Sequence, residues 1–264
     1  MKKILYLGLV VIVIILVSIL GIKYMARLQK TDNIAEMLSL AKSFEERQNL
    51  KEARTIYQKL ITEAPNSNLV SSWQKKLEDL NIRLLFSPTL TEKSITYEIQ
   101  PKDTLAKIAK KFNTTADLIL RSNNLKSNKI LPGKKIKIFN RPLSILVDKS
   151  QSTLILKADE EIIKTYIVST GINNSTPVGN FKIVNKLVDP TWFKDGTAIP
   201  ASSPENILGS RWMGFDLAGY GIHGTNEPAT LGKQVTQGCV RMSNQDVEEL
   251  YTIVPTGTEV AIVE

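Results

Sequence analysis

The sequence predicts a multidomain α+β protein: an apolar N-terminal helix, a short α-helical hairpin, a small mixed module and a β-rich C-terminal domain, in that order. Three observations carry this prediction. A charge-free apolar run extends from Ile4 to Ile22. Residues 33–85 repeat apolar side chains at helical spacing, and from Ser144 onward short β-branched or alternating runs are separated by turn-forming clusters. A chain of 264 residues has room for two or three such domains.

The first element occupies residues 1–30. The 19 residues from Ile4 to Ile22 would span about 28 Å as a helix, close to the thickness of a bilayer's hydrocarbon core. A cleaved secretory signal is the alternative. Its apolar stretch is ordinarily shorter and ends in small residues, whereas this one runs into Lys23, Tyr24 and Met25. The sequence therefore favours an uncleaved transmembrane helix through residues 4–22. Lys2 and Lys3 oppose Lys23, Arg27 and Lys30, so charge alone does not orient it.

Residues 31–86 read as a helical spacer. Ile34, Met37, Leu38, Ala41 and Phe44 share one helical face, as do Ala53, Ile56, Tyr57 and Leu60. The stretch KEARTIYQKLITEAPNS resembles the second half of a tetratricopeptide repeat. A single such unit cannot bury its apolar face in a solenoid, so a hairpin is expected. FSPTLTEKS, at 86–94, reads as a linker.

Residues 94–140 form the third element. Ile95, Tyr97 and Ile99 alternate as a strand, and Asp103-Thr104 caps a helix bearing Leu105, Ile108 and Ala109. Thr114 or Thr115 opens a second helix with Leu118 and Ile119. Pro132-Gly133 then turns the chain into a strand with Ile136 and Ile138. This β-α-α-β unit, through its D-T-L, N-N-L and L-P-G segments, resembles a LysM domain over its whole length. Lys102 departs from the glycine that many relatives carry. The resemblance implies binding of N-acetylglucosamine-containing glycans such as peptidoglycan. It places the contacts at Asp103, Thr104 and Leu105 and at Ile130, Leu131 and Pro132, residues that also read simply as caps and turns.

Charge is distributed unevenly. The net +8 divides into +5 over residues 1–30, zero over 31–90, +8 over 91–142 and −5 over 143–264. No zinc-finger spacing and no aromatic-rich basic strand accompanies the basic segments, which argues against nucleic acid as a partner. One cysteine excludes an intrachain disulfide, and with a single histidine it excludes a Cys/His metal site built from this chain alone.

The fourth element runs over residues 143–264. ILVD, TLILK, KTYIVS, GNFKIV and TEVAIV read as strands, and Asn244–Tyr251 as a short helix. This acidic domain holds both the lone histidine, His223, and the lone cysteine, Cys239. Sixteen positions separate them, about 24 Å along a straight helix, so they meet only if the intervening chain folds back. Gly224, Asn226, Pro228, Gly232 and Gly238 permit that return. An imidazole beside a thiol can take its proton and later return it to a leaving amine. Gly238 would clear the approach to the sulfur, and backbone N–H groups there could hold an oxyanion. Arg241 offers a bidentate donor for a carboxylate. A lone cysteine packed in the core is the competing reading.

Three segments decide between these readings: T-P-V-G at 176–179, H-G-T-N-E-P at 223–228 and T-Q-G-C-V-R-M at 236–242. Together they are similar to the catalytic domain of YkuD-type L,D-transpeptidases. The resemblance implies Cys239 as nucleophile and His223 as general base and acid, with the Gly224 carbonyl orienting the ring and Gly238 near the oxyanion. It also implies Arg241 and Thr225 at the substrate, and no metal, nucleotide or organic cofactor. Gln237 departs from the second histidine of many members. The implied reaction is attack on a peptidoglycan tetrapeptide stem with release of D-alanine, then transfer to a diamino-acid side-chain amine to give a 3→3 cross-link. Water as acceptor would make it an L,D-carboxypeptidase or thiol peptidase, another amine could attach a protein to the wall, and a degenerate domain would leave a non-enzymatic peptidoglycan-binding scaffold. The expected location is a bacterial cell membrane, single-pass, with the catalytic domain outside and facing the wall. The oligomeric state is not fixed by the sequence.

Overall fold

The computed structural model describes residues 33–264. The expected anchor over residues 1–30 and its helix through 4–22 lie outside the described residues. Among the described residues no helix is long and apolar enough to cross a membrane. The chain divides into two compact units at the Leu80/Asn81 boundary.

The first unit is helical: α1 over residues 33–46, α2 over Leu50–Glu63 and the greater part of α3, Val70–Leu85. Ala41, Ala53, Tyr57, Leu60, Trp73 and Leu80 form its core. The expected hairpin thus gains a third helix, whose Trp73 and Leu80 supply apolar surface that two helices lack. Glu45 accepts from the Tyr57 hydroxyl at 2.7 Å and pairs with Lys76 at 3.1 Å.

In the second unit, β1 (Ser94–Glu98), α4 (Leu105–Lys111), α5 (Ala116–Ser122) and β2 (Lys135–Phe139) form the β-α-α-β module. Thr104 and Thr115 cap its helices, accepting from Lys107 N and Leu118 N. Between the two candidates for the second cap, Thr115 is the one used. The 86–94 stretch is no free linker. The Ser87 carbonyl accepts from Lys137, Phe86 packs on the core, and Lys93 is buried and paired with Glu161.

The β-rich domain is built on eight strands. In chain order these are β3 (Leu143–Asp148), β4 (Thr153–Ala158), β5 (Glu161–Ile167), β7 (Gly179–Val188), β10 (Arg211–Phe215), β11 (Gly221–His223), β13 (Val240–Arg241) and β14 (Glu259–Val263). Their order across the sheet is β13-β11-β10-β7-β14-β3-β4-β5. β11 pairs with β13 and β14 with β3 in parallel, and the other pairings are antiparallel. Two small ribbons lie outside it: β6 (Thr170–Gly171) with β12 (Gln234–Thr236), and β8 (Trp192–Lys194) with β9 (Thr197–Ile199). Helix α6 (Asn244–Ile253) packs Val247, Leu250 and Ile253 into the core. Leu118 of α5 and Phe139 of β2 belong to that same core, so the β-α-α-β module and the β-rich domain share one apolar interior.

Candidate active site

The site is built by strand register at one edge of the sheet. In the parallel pair, Ile222 lies opposite Val240 and His223 opposite Arg241. Ile222 and Val240 are fully buried on the core face. Alternation then puts His223, Arg241 and the residue two before it, Cys239, on the other face. The sixteen-residue gap is closed by a return through a 3-10 turn at Pro228–Thr230 and strand β12. His223, Cys239 and Arg241 all line one cleft of about 500 Å³, together with Gln237 and the apolar side chains of Trp192, Trp212 and Tyr220.

His223 is 2 % exposed, and its Nδ1 lies 2.7 Å from the Gly224 carbonyl oxygen. A carbonyl only accepts, so Nδ1 carries the proton and Nε2 presents a lone pair. The Leu208 backbone, like the Gly224 carbonyl, favours the protonated ring. Burial outweighs both and brings the imidazole down from its ordinary range to about 4, with Arg241 adding to the depression. His223 is therefore neutral at physiological pH, the form that can take a proton. Trp212, its partner across β10–β11, stacks on it with ring centroids 6.1 Å apart. Trp212 is itself held by its Nε1–H donating to Asn185 at 3.0 Å.

Cys239 is half-buried. Its thiol donates to the Gly219 carbonyl at 3.4 Å. Burial pushes the thiol's pKa up, while the Gly221 N–H and the Arg241 charge pull it down without reversing that shift. At rest the pair is a neutral thiol and a neutral imidazole. Gly238 adopts φ +134°, and a Cβ there would fall 2.7 Å from Tyr220 Cε1. Its N–H donates to Thr236 Oγ1 at 3.2 Å, and that hydroxyl donates to the Cys239 carbonyl at 2.7 Å. The expected oxyanion donor at Gly238 is therefore already engaged in shaping the turn.

Arg241 is 4 % exposed. Its Nη1 donates to Glu227 and to Thr230 Oγ1, both at 3.1 Å, and its Nε has no hydrogen-bond partner among the described residues. The guanidinium expected at a substrate carboxylate thus holds the 227–230 turn. Thr225 is buried, its hydroxyl accepts from Glu227 N at 2.9 Å, and it does not line the cleft. In the T-P-V-G segment, Thr176 is buried and accepts from Gly171 N at 2.7 Å, so the segment shapes a turn.

The residues expected at a glycan divide similarly. The Asp103 carboxylate accepts from the Tyr97 hydroxyl and Gln100 N, both at 2.8 Å, and Thr104 caps α4. Leu105 is 2 % exposed, packed inside the module, and cannot reach a ligand. Ile130 is partly buried against the module's core, whereas Leu131 is 72 % exposed and Pro132 lies exposed beside it.

Sequence reasoning missed Trp212, Leu208 and Asn244. Trp212 was legible as a large aromatic eleven residues before the only histidine, but nothing local tied it to the ring.

The L,D-transpeptidase catalytic domain model, YkuD, matches residues 142–262, and the LysM domain model matches residues 97–139. YkuD of Bacillus subtilis (strain 168), named for L,D-transpeptidases, is 35 % identical over 175 residues, covering 64 % of this chain and 98 % of that protein. YqjB of the same organism is 39 % identical over 126 residues, covering 46 % and 70 %. Among solved structures, an L,D-transpeptidase from Mycobacterium smegmatis aligns at 20 % identity with a TM-score of 0.41, over 51 % of this chain and 65 % of that one. L,D-transpeptidase 3 from Mycobacterium tuberculosis aligns at 18 % identity with a TM-score of 0.41, over 50 % and 66 %. This chain belongs to the YkuD family of L,D-transpeptidases, with a LysM domain preceding the catalytic domain.

Proposed function

We propose that the protein is a peptidoglycan L,D-transpeptidase working through a Cys239 thioester. The observation that carries the proposal is the buried, neutral His223, its Nδ1 proton fixed on Gly224, lining the same cleft as Cys239. As the sulfur attacks the carbonyl of the third residue of a tetrapeptide stem, its proton passes to Nε2 of His223. The imidazolium then protonates the departing amine of D-alanine, leaving the acyl group on sulfur. A diamino-acid amine of a neighbouring stem loses its proton to His223 and attacks the thioester, giving a 3→3 cross-link and restoring the thiol. Because the resting thiol is protonated, each transfer depends on the base being in place. Arg241 acts by holding the 227–230 turn and by placing positive charge near the sulfur.

The LysM domain binds the glycan of the same polymer through the exposed Leu131 and Pro132 rather than through Asp103, Thr104 or Leu105. The apolar run at 4–22 anchors the chain in the cytoplasmic membrane with the catalytic domain on the wall side, where the substrate lies. Intact-mass spectrometry of the full chain in mild detergent, mixed with a disaccharide-tetrapeptide, tests the reaction. An acyl adduct with release of D-alanine, followed by a cross-linked dimer and absent in Cys239→Ala, is expected. Adduct followed only by tripeptide would make water the acceptor, and no adduct on a folded, reduced protein would leave a wall-binding scaffold.

A further inference from the structure

Two separate stretches of backbone address the His223 ring. One supplies the Gly224 carbonyl at 2.7 Å from Nδ1, and the other carries Leu208, which lines the same cleft and whose backbone favours the protonated ring. The Gly224 carbonyl decides the tautomer and the aim of Nε2, yet both stretches run through irregular loop. The same side-chain oxygen ties both loops down. Asn244 Oδ1 accepts from Ser210 N and from Thr225 N, each at 3.1 Å. Space is made for it by two glycines, since a Cβ on either Gly209 or Gly224 would lie 2.2 Å from that oxygen. Gly209 also adopts φ +63°, a conformation glycine takes freely.

Asn244 has a fixed base from which to do this. It is the first residue of α6, whose cap is Ser243, accepting from Asp246 N at 3.0 Å. Val247, Leu250 and Ile253 anchor the helix in the core. The side chain therefore projects from a rigid element onto two loops that have little structure of their own.

We propose that Asn244 is a positioning residue for the His223–Cys239 pair, acting through the Thr225 backbone to hold the Gly224 carbonyl against the imidazole and through the Ser210 backbone to hold the 208–210 loop beside it. It touches neither the sulfur nor a substrate, and both of its partners here are donors, so what it must present is an acceptor oxygen. Aspartate keeps such an oxygen and alanine has none. Asn244 is exposed, so its truncation opens no cavity in the core. The proposal rests on the proposed chemistry of His223 and Cys239, but its test does not require the stem-peptide reaction.

Cys239 is the only cysteine, so alkylation by iodoacetamide reads that thiol alone by intact mass. The full chain would be alkylated from about pH 4 to 9 as wild type, Asn244→Ala, Asn244→Asp and, to set the scale of a lost base, His223→Gln. Tetrapeptide acylation and thermal melting would be followed on the same samples. Asn244→Ala is expected to slow alkylation near neutral pH about tenfold, toward His223→Gln, and to lower kcat of acylation with little change in KM. Asn244→Asp should recover most of the rate. Its added carboxylate favours the imidazolium, so the acid limb of its profile should move to higher pH. Two results would overturn the proposal: Asn244→Ala alkylating with the wild-type rate and profile, or Asn244→Asp performing no better than Asn244→Ala. If the wild type acylates no stem peptide while alkylation follows this pattern, the transpeptidase reading fails and the positioning role stands.

Discussion

At residue scale the neutral state of His223 has a thermodynamic signature. Burial holds its folded pKa at about 4, against about 6.5 in an unfolded chain. Between those values the unfolded state binds a proton that the folded state refuses, so stability falls as pH is lowered through that window and levels off below it. The loss from this group is on the order of 3 kcal/mol. Urea midpoints measured stepwise from neutral to acid pH should show it in the wild type, and His223→Gln should lack that increment. Gly238 is a second residue with a single-atom constraint. Alanine there would sit in a left-handed conformation with its Cβ against Tyr220, so Gly238→Ala should cost about 1–3 kcal/mol and displace the sulfur. A lowered melting temperature together with slowed Cys239 alkylation would show both effects. The T-Q-G-C-V-R-M motif was legible in the sequence, but that Gly238 N–H is engaged by Thr236 was not, because this follows from the turn's geometry.

At element scale, one buried and one half-buried lysine close helix ends. Lys137 of β2, 4 % exposed, donates to the carbonyls of Leu84 at 2.7 Å and Ser87 at 2.8 Å, at the C-terminus of α3. Lys186 of β7 donates to those of Tyr251 at 2.6 Å and Val254 at 2.8 Å, at the end of α6. In both cases burial lowers the ammonium to about 8, while the carbonyls at a helix terminus supply acceptors and a favourable dipole. Lys137→Met keeps the stem's apolar volume but leaves two carbonyls short of a donor. It should lower stability by about 1–3 kcal/mol in chemical denaturation at pH 7. At this scale the sequence was read well where periodicity was clean. ILVD, TLILK, KTYIVS, GNFKIV and TEVAIV all fall within or across observed strands, and the helix expected over Asn244–Tyr251 extends to Ile253. The short strands β8 to β13, which carry the site, were missed. They are two to five residues long, too short for an alternation to stand out in the sequence.

At the scale of the whole molecule, the second unit behaves as one core carrying two family domains. Leu118 lies on α5 of the LysM domain, yet it is 1 % exposed inside the cluster that holds Val147, Met213 and Ile222. Thr115 donates to the carbonyl of Thr252, on α6. Leu118→Ala should therefore destabilise both domains together, by about 2–5 kcal/mol. Hydrogen exchange should show the amides of β2 and of β14 losing protection in parallel, and loss confined to the LysM domain would contradict a shared interior. The sequence by itself determined the order of the segments, the strand and helix runs with clean periodicity, and the pairing of one histidine with one cysteine inside recognisable motifs. Only the tertiary structure decided which of those residues face the cleft. It buried Leu105 and Thr225, turned Arg241 onto Glu227, stacked Trp212 on the imidazole and set Asn244 on the two loops beside it. The physical reason is that local periodicity reports which face of an element is apolar, whereas register between distant strands decides which polar groups meet.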